Sequence, residues 1–120
     1  MEIANERPRA WQPEDLGGFF VERANAGDVE GLVALYEPEA VLALPAGQTA
    51  AGASAIEQFY RKLLADRPTF ASGPQRPALR NGDLALTSTR IPAGATTEVA
   101  QRQADGTWLW IIDQPNVLSE

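Results

Sequence analysis

The chain contains no cysteine and no histidine among its 120 residues. The lack of cysteine excludes disulfides, thiolate nucleophiles and iron–sulfur or zinc-finger ligation. The lack of histidine excludes the Ser/His/Asp and Cys/His catalytic groups and most zinc-enzyme sites. We therefore expect no metal and no cofactor. Any acid–base chemistry must use carboxylates, tyrosines or the single lysine, Lys62, which stands beside Arg61 on a predicted helix surface.

Basic residues and long apolar runs are also scarce. Ten Lys and Arg residues stand against sixteen Asp and Glu residues, so the formal net charge is −6. Such a chain repels phosphate backbones, and we expect no nucleic-acid partner. No apolar run approaches the ~20 residues of a membrane helix, so we expect no membrane partner. Glu2 and Glu6 stand where a signal peptide needs positive charge, which favours a cytoplasmic protein.

The length fits one domain, because single cores typically run to ~100–150 residues. We expect a charged N-terminal tail over residues 1–12, with Trp11 docked on a single domain that spans 13–120. Apolar residues at helical spacing, with capping residues and helix terminators, predict three helices. These are a helix that opens at Pro13-Glu14-Asp15 and ends at Asn25-Ala26-Gly27, one from Asp28 through Tyr36 that Pro38 stops, and one over Gly52–Arg67.

The remaining segments have the period of two that is typical of strands. Strands are predicted over 40–44, 48–51, 69–79 (interrupted by prolines), 84–90, 96–103 and 107–114. Helices followed by a run of antiparallel strands indicate an α+β fold. We expect a cone-shaped, curved, mixed or antiparallel sheet of about six strands wrapped on three helices. Its concave side is either a core or a pocket.

Two acids differ from the rest because they lie within or at the end of apolar strands. Glu98 and Asp113 belong to the last two predicted strands, which meet at Asp105-Gly106. A two-residue turn there places Glu98 opposite Asp113, with Cβ atoms ~5 Å apart. The same register places Leu109 and Ile111 beside the carboxylates. A four-residue loop gives this register too, whereas a three-residue bulged loop does not.

Two carboxylates at that distance beside apolar neighbours cannot both ionise cheaply, so one should hold a proton near neutral pH. In the alternative interpretation this is an exposed strand face, and both acids are simply solvated.

Trp108, Trp110 and Ile112 are predicted on the opposite face, as core or dimer-interface residues. An apolar outer face of this kind favours a homodimer.

Three stretches resemble a known family: Phe19–Tyr36 followed by Glu39-Ala-Val, Gly52–Tyr60, and the closing Asp105–Pro115. They are similar to the ketosteroid isomerases and, more broadly, to the nuclear-transport-factor-2-like superfamily with its SnoaL-type polyketide cyclases. The resemblance covers residues from about 13 to 115. It implies a cystatin-like, SnoaL-like α+β barrel. This fold hosts isomerases, cyclases, hydrolases and binding proteins.

The isomerases use an aspartate base in the first strand, with a tyrosine and a protonated aspartic acid that bind the oxyanion. By position, the resemblance places the tyrosine on Phe20, the base on Leu44 and the protonated acid near Glu98. Neither Phe20 nor Leu44 can move a proton, so we expect no standard steroid isomerase. The resemblance further implies that Tyr36 and Tyr60 support the pocket and that Asp113 lines it.

The hypothesis is a pocket for a small, largely apolar organic metabolite, with carboxylate acid–base chemistry of isomerase, cyclase or hydrolase type. Its predicted catalytic residues are Glu98 and Asp113, and its predicted ligand-binding residues are Phe20, Tyr36, Leu44, Tyr60, Leu109 and Ile111. One alternative is a binding protein without catalysis. Another is a dimeric accessory module whose pocket is packed shut by Phe19, Phe20 and Tyr36.

Overall fold

The computed structural model describes residues 7–118. The first six residues of the predicted tail, and the last two of the predicted domain, lie outside the described residues. Three helices are present, α1 (Asp15–Asn25), α2 (Val29–Val33) and α3 (Ala53–Leu64). The cap predicted for the second helix is confirmed, because the Asp28 carboxylate accepts a hydrogen bond from the Gly31 N–H at 3.0 Å. No helix in the described part of the chain is long and apolar enough to cross a membrane.

The strands form a six-stranded sheet and a separate two-stranded hairpin. The sheet order is β2-β1-β8-β7-β4-β3, and the hairpin pairs β5 with β6. The β1–β8 pair is parallel, and the other adjacent pairs are antiparallel. The strands are β1 (Tyr36–Ala43), β2 (Thr49–Ala51), β3 (Leu79–Asn81), β4 (Leu84–Thr87), β5 (Arg90–Ile91), β6 (Gly94–Ala95), β7 (Thr97–Arg102) and β8 (Trp108–Gln114).

This architecture confirms the predicted α+β class, the three helices and the curved mixed sheet of six strands. The barrel implied by the resemblance is not closed, since in the described chain the sheet ends at β2 on one side and at β3 on the other. The helices pack on one face of this sheet. The core between them includes Leu16, Leu32, Leu42 and Ile56, each at most 1% exposed.

Two predicted segments differ from the structure. The second helix ends at Val33, and Tyr36 begins β1, so Pro38 lies inside a strand and does not stop a helix. Of the strand predicted over 69–79, only Leu79 joins β3, together with an isolated bridge from Gln75 to Thr89. The remainder is irregular, because Pro74 and Pro77 cannot donate to a ladder.

The described part of the predicted tail, residues 7–12, lies against the domain. The Arg7 guanidinium pairs with Asp28 at 2.7 Å, and the Ala10 carbonyl accepts a hydrogen bond from the Trp108 N–H at 2.9 Å. Trp11 was expected to dock, but it is 59% exposed, and Ala10 is the buried residue instead. A backbone hydrogen bond to β8 therefore holds this segment more than an aromatic anchor does.

The hairpin of β7 and β8 contains the predicted Glu98–Asp113 pair, but its loop length and register differ from the prediction. Its loop has three residues, because the Gln103 N–H donates to the Thr107 carbonyl at 2.6 Å, which moves the register by one. The predicted loop of two or four residues is therefore wrong, and so is the placement of Leu109 and Ile111 beside the carboxylates, since Leu109 pairs with Gln101 and Ile111 has no partner in β7. A bulge at Ile111 then restores the register, so that Glu98 again lies opposite Asp113.

The same three-residue loop reverses the face of the tryptophans. Trp108 pairs with Arg102 and Trp110 with Ala100, and both indoles point into the domain, 2% and 4% exposed. The prediction that they share an outer face with Ile112 is wrong. Because the bulge lies between them and Asp113, Trp110 and Asp113 both point inwards although they are three residues apart.

Candidate functional site

Two rows of inward-facing residues on the concave side of the sheet build the site. One row crosses four strands and holds Leu42, Asp113, Glu98 and Thr87 in direct register. The neighbouring row holds Tyr36, Trp110, Ala100 and Ala85. Both carboxylates thus lie in the interior of the sheet, away from its edges.

A cavity of about 660 Å³ lies between this sheet face, α1 and the irregular segment that follows α3. Glu98, Asp113, Tyr60 and Trp110 line it, and so does Phe20 of α1. Phe20 packs against Tyr60 and Trp110 with ring centroids 6.1 and 6.3 Å apart. The cavity is large enough for a small organic molecule, since typical ligand pockets are ~300–1,000 Å³.

Asp113 is held by two tyrosines in series. The Tyr36 hydroxyl donates to Asp113 Oδ2 at 2.5 Å, and the Tyr36 and Tyr60 hydroxyl oxygens are 2.7 Å apart. With Tyr36 donating to the carboxylate, Tyr60 is the donor in the second hydrogen bond. This chain of hydroxyls orients Asp113 and stabilises its ionised form.

Glu98 is held by the strand on its other side. The Thr87 hydroxyl donates to Glu98 Oε1 at 2.6 Å, from the residue directly opposite on β4. Glu98 is 7% exposed and Asp113 is 5% exposed. Among residues 7–118, neither carboxylate has a basic side chain within ion-pairing distance. Two acids are therefore buried side by side without a counter-charge.

Burial dominates the protonation of both acids. Loss of solvation and the neighbouring Glu98 charge raise the pKa of Asp113 from 3.8 to about 7, against the opposing effect of the Tyr36 hydrogen bond. Burial also raises the pKa of Glu98, opposed by hydrogen bonds from Thr87 and Thr96. The pKa of Tyr60 is raised by its own burial and by Asp113, so both tyrosines stay protonated. Asp113 therefore titrates near neutral pH, and the pKa of Glu98 is shifted in the same direction.

The indole N–H of Trp110 is the single buried side-chain N or O atom without a hydrogen-bond partner in the described chain. Leaving such a donor unpaired costs about 1–3 kcal/mol. The ring packs against Tyr36 with centroids 5.3 Å apart, beside the tyrosine chain that holds Asp113. An unpaired polar group thus lies in the cavity wall next to the carboxylates.

The predicted site residues fall into two groups. Glu98, Asp113, Phe20 and Tyr60 line the cavity, and Tyr36 lies directly behind Asp113. The other three do not join them. Leu44 is a partly buried residue just beyond β1, Leu109 lines a smaller cavity near the N-terminal segment, and Ile111 is the bulged residue of β8.

Sequence reasoning missed several residues of the site. Thr87 was missed because its pairing with Glu98 connects strands that are separated by the β5–β6 hairpin. Trp110 was placed on the wrong face by the register error. Phe70, which packs edge-on against Phe20 at 5.5 Å, lies in a segment predicted as a strand. Within residues 7–118, no group of three or more acidic residues is placed to hold a metal ion.

Known structures share this fold. An NTF2-like protein with a cystatin-like fold from Novosphingobium aromaticivorans is 21% identical, with a TM-score of 0.63 over 83% of this chain and 75% of that one. A ketosteroid isomerase-like protein from Erwinia carotovora atroseptica is 16% identical, with a TM-score of 0.65 over 84% of this chain and 89% of that one. A candidate dehydratase of the NTF2-like family from Streptomyces avermitilis is 17% identical, with a TM-score of 0.66 over 90% and 95%.

At these identities the likeness shows the fold alone. No curated protein matches the chain. A family model, described as the SnoaL-like domain, matches residues 19–114, which include the C-terminal part of α1, the tyrosines and both carboxylates. The chain therefore belongs to the SnoaL-like domain family, within the NTF2-like fold.

Proposed function

We propose that this protein binds a small, largely apolar organic metabolite in the cavity and catalyses a proton transfer on it. Glu98 and Asp113 are the acid–base pair of this reaction, which is of isomerase, cyclase or hydrolase type. The observation that carries the proposal is the buried pair itself, which faces a cavity and lacks a counter-charge among the described residues. Acid–base catalysis is most efficient when the pKa of the group lies near the working pH.

The pair can supply both roles in one protonation state. When the pair holds one proton, the ionised carboxylate can accept a proton from the substrate, and the protonated carboxylic acid can donate a hydrogen bond to a substrate oxygen. The raised pKa of Asp113, about 7, supports a singly protonated pair near physiological pH. Tyr36 and Tyr60 keep Asp113 oriented. Phe20 and Trp110, whose rings pack together, form an apolar part of the cavity wall.

The proposed reaction is not steroid isomerisation of the standard kind. Leu44 and Phe20 occupy the positions that the resemblance assigns to the base and the tyrosine donor. The proposed pair consists instead of Glu98 and Asp113 on adjacent strands. The names of two structural neighbours, isomerase-like and candidate dehydratase, are compatible with proton-transfer chemistry in this fold.

The test is proton exchange in D₂O with a panel of small cyclic ketones, because exchange requires only abstraction of a proton beside the carbonyl. We expect exchange above the buffer background, and a loss of about 10²-fold or more in Glu98→Gln and in Asp113→Asn. Asp66→Asn, which removes an exposed carboxylate outside the cavity, should leave the rate unchanged. Ketone binding without exchange would favour the alternative of a non-catalytic binding protein.

We also propose that the protein is a homodimer formed through the convex face of the sheet. Residues in direct register make an apolar row across all six strands: Ala51, Val41, Ile112, Val99, Leu86 and Leu79. Four of them, Val41, Ile112, Leu86 and Leu79, are 37–71% exposed. A second copy of the same face is self-complementary to such a row, since every contact can be repeated about a two-fold axis.

Sedimentation of Ile112→Lys tests the dimer. A lysine at the centre of the row would be buried without a counter-charge, so we expect a 12.9 kDa monomer where the unmodified protein is twice that mass. Val117→Lys is the matched control, because Val117 is similarly exposed at 46% but lies beyond β8. A monomeric unmodified protein at micromolar concentration would contradict the proposal.

A further inference from the structure

The charges that line the cavity are all of one sign. Among residues 7–118, five carboxylates line it, and no lysine or arginine does. They are Glu14, Asp15, Glu22, Glu98 and Asp113. Glu14 is compensated in part by Arg80 at 3.6 Å, and the Asp15 carboxylate accepts hydrogen bonds from the Trp11 and Gln12 N–H groups. The two inner acids, Glu98 and Asp113, each accept a hydroxyl hydrogen bond, but within residues 7–118 neither has a basic side chain at ion-pairing distance.

The inner carboxylates keep an acceptor available. Tyr36 occupies only Oδ2 of Asp113, and no described residue donates to Oδ1. Asp113 is 5% exposed and lines the cavity. A carboxylate oxygen that lacks a donor, on a residue that lines the cavity, favours a ligand that brings its own positive charge or hydrogen-bond donor, because either would repay the lost solvation.

The remaining wall has the complementary character. Phe20, Phe70, Tyr60 and Trp110 all line the cavity, and Phe20 contacts each of the other three rings. The negative faces of aromatic rings attract cations, most strongly where water is excluded. Aromatic walls together with unpaired carboxylates are therefore suited to an organic cation and unsuited to an anion.

From this arrangement we propose that the ligand of the cavity carries a protonated amine, or another organic cation, on an apolar body. The charge binds at Glu98 and Asp113, and the apolar body packs against the aromatic wall around Phe20. An ammonium supplies the positive charge that the described residues around Glu98 and Asp113 lack. This inference rests on the proposed function, since it names the substrate class of the same site.

Three probes that share the adamantane hydrocarbon but differ in charge test the inference: protonated 1-aminoadamantane, 1-adamantanol and adamantane-1-carboxylate. Binding is measured by calorimetry at pH 8, where Asp113, with a pKa of about 7, is mostly ionised. We expect the ammonium to bind at least about tenfold more tightly than the alcohol, because a close charge pair of low exposure is strongly favourable. The carboxylate should bind most weakly.

Matched variants locate the source of the preference. Glu98→Gln and Asp113→Asn should each reduce the preference for the ammonium, and the double variant should bring the ammonium and alcohol affinities to within about threefold, whereas Asp66→Asn should keep the full preference. Phe20→Leu should weaken the ammonium about threefold more than the alcohol, through the lost cation–π contact. If a variant does not fold, the affinities of the three probes for the unmodified protein still show whether the cavity prefers a cation.

The outcomes separate the two proposals. Equal or tighter binding of the alcohol overturns the inference while the ligand cavity of the proposed function stands. A full preference for the ammonium that persists in the double carboxamide variant also overturns it, since the charge would then bind elsewhere. If none of the three probes binds, the inference and the proposed function fall together.

Discussion

Replacing Asp113 by asparagine should change how the stability of the protein depends on pH. Asp113 is 5% exposed, and its pKa is raised from 3.8 to about 7 by burial first and by the charge of Glu98 second. The difference of about three pH units corresponds to about 4 kcal/mol of unfavourable free energy when the carboxylate is ionised. That is a large part of the ~5–15 kcal/mol by which small domains are stable.

The sign follows from proton binding. Between pH ~4 and ~7 the folded protein holds the Asp113 proton and the unfolded chain does not, so the free energy of unfolding falls as pH rises. The loss is about 1.4 kcal/mol per pH unit within this window and is complete above pH ~7. Asp113→Asn lacks this loss. The stability of the variant minus that of the unmodified protein should therefore grow by about 4 kcal/mol from pH 4 to pH 8.

Urea unfolding followed by tryptophan fluorescence, at half-unit steps from pH 4 to pH 8, measures this difference. Taking the difference removes groups that titrate in both proteins, such as Asp28, whose pKa is lowered by Arg7. Glu98→Gln should change in the same direction, because the pKa of Glu98 is also raised by burial. Asp66→Asn should stay flat within about 0.5 kcal/mol. A flat difference for Asp113→Asn would refute the buried pair and the site built on it.

Three further changes test other parts of the structure. Tyr36→Phe removes the donor to ionised Asp113, so carboxyl NMR should show the pKa of Asp113 higher by about one to two pH units; an unchanged value would contradict the hydrogen bond. A steroid 5-en-3-one should give no conjugated product by ultraviolet absorbance, because Leu44 cannot abstract a proton and Phe20 cannot donate one; robust turnover would refute the positional comparison. Asp28→Ala removes the cap of α2 and the partner of Arg7, and should cost about 1–2 kcal/mol by urea unfolding.

The sequence was sufficient to predict features that depend on neighbouring residues. Asp28 caps α2, Pro45 directly follows the predicted strand 40–44, and Gly82 lies between the predicted strands 69–79 and 84–90. Each of these features depends on neighbouring residues, through side-chain capping, a fixed φ angle and a positive φ. Residue periodicity was sufficient for the number of helices and for the α+β class. The pairing of Glu98 with Asp113 was also predicted, although two shifts of one residue cancelled to produce it.

Distant contacts decided the rest. The three-residue loop at Gly106 and the bulge at Ile111 set which side chains of β8 face inwards. Burial of the Trp110 side chain against the helices, and not its intrinsic strand propensity, favours the inward face. The parallel pairing of β1 with β8 brings Tyr36 to Asp113 across 77 positions of chain, which no local pattern reports. The acidic residues were visible in the sequence. Their burial without a counter-charge, which gives the site its chemistry, is a property of the tertiary structure, because solvation depends on everything packed around them.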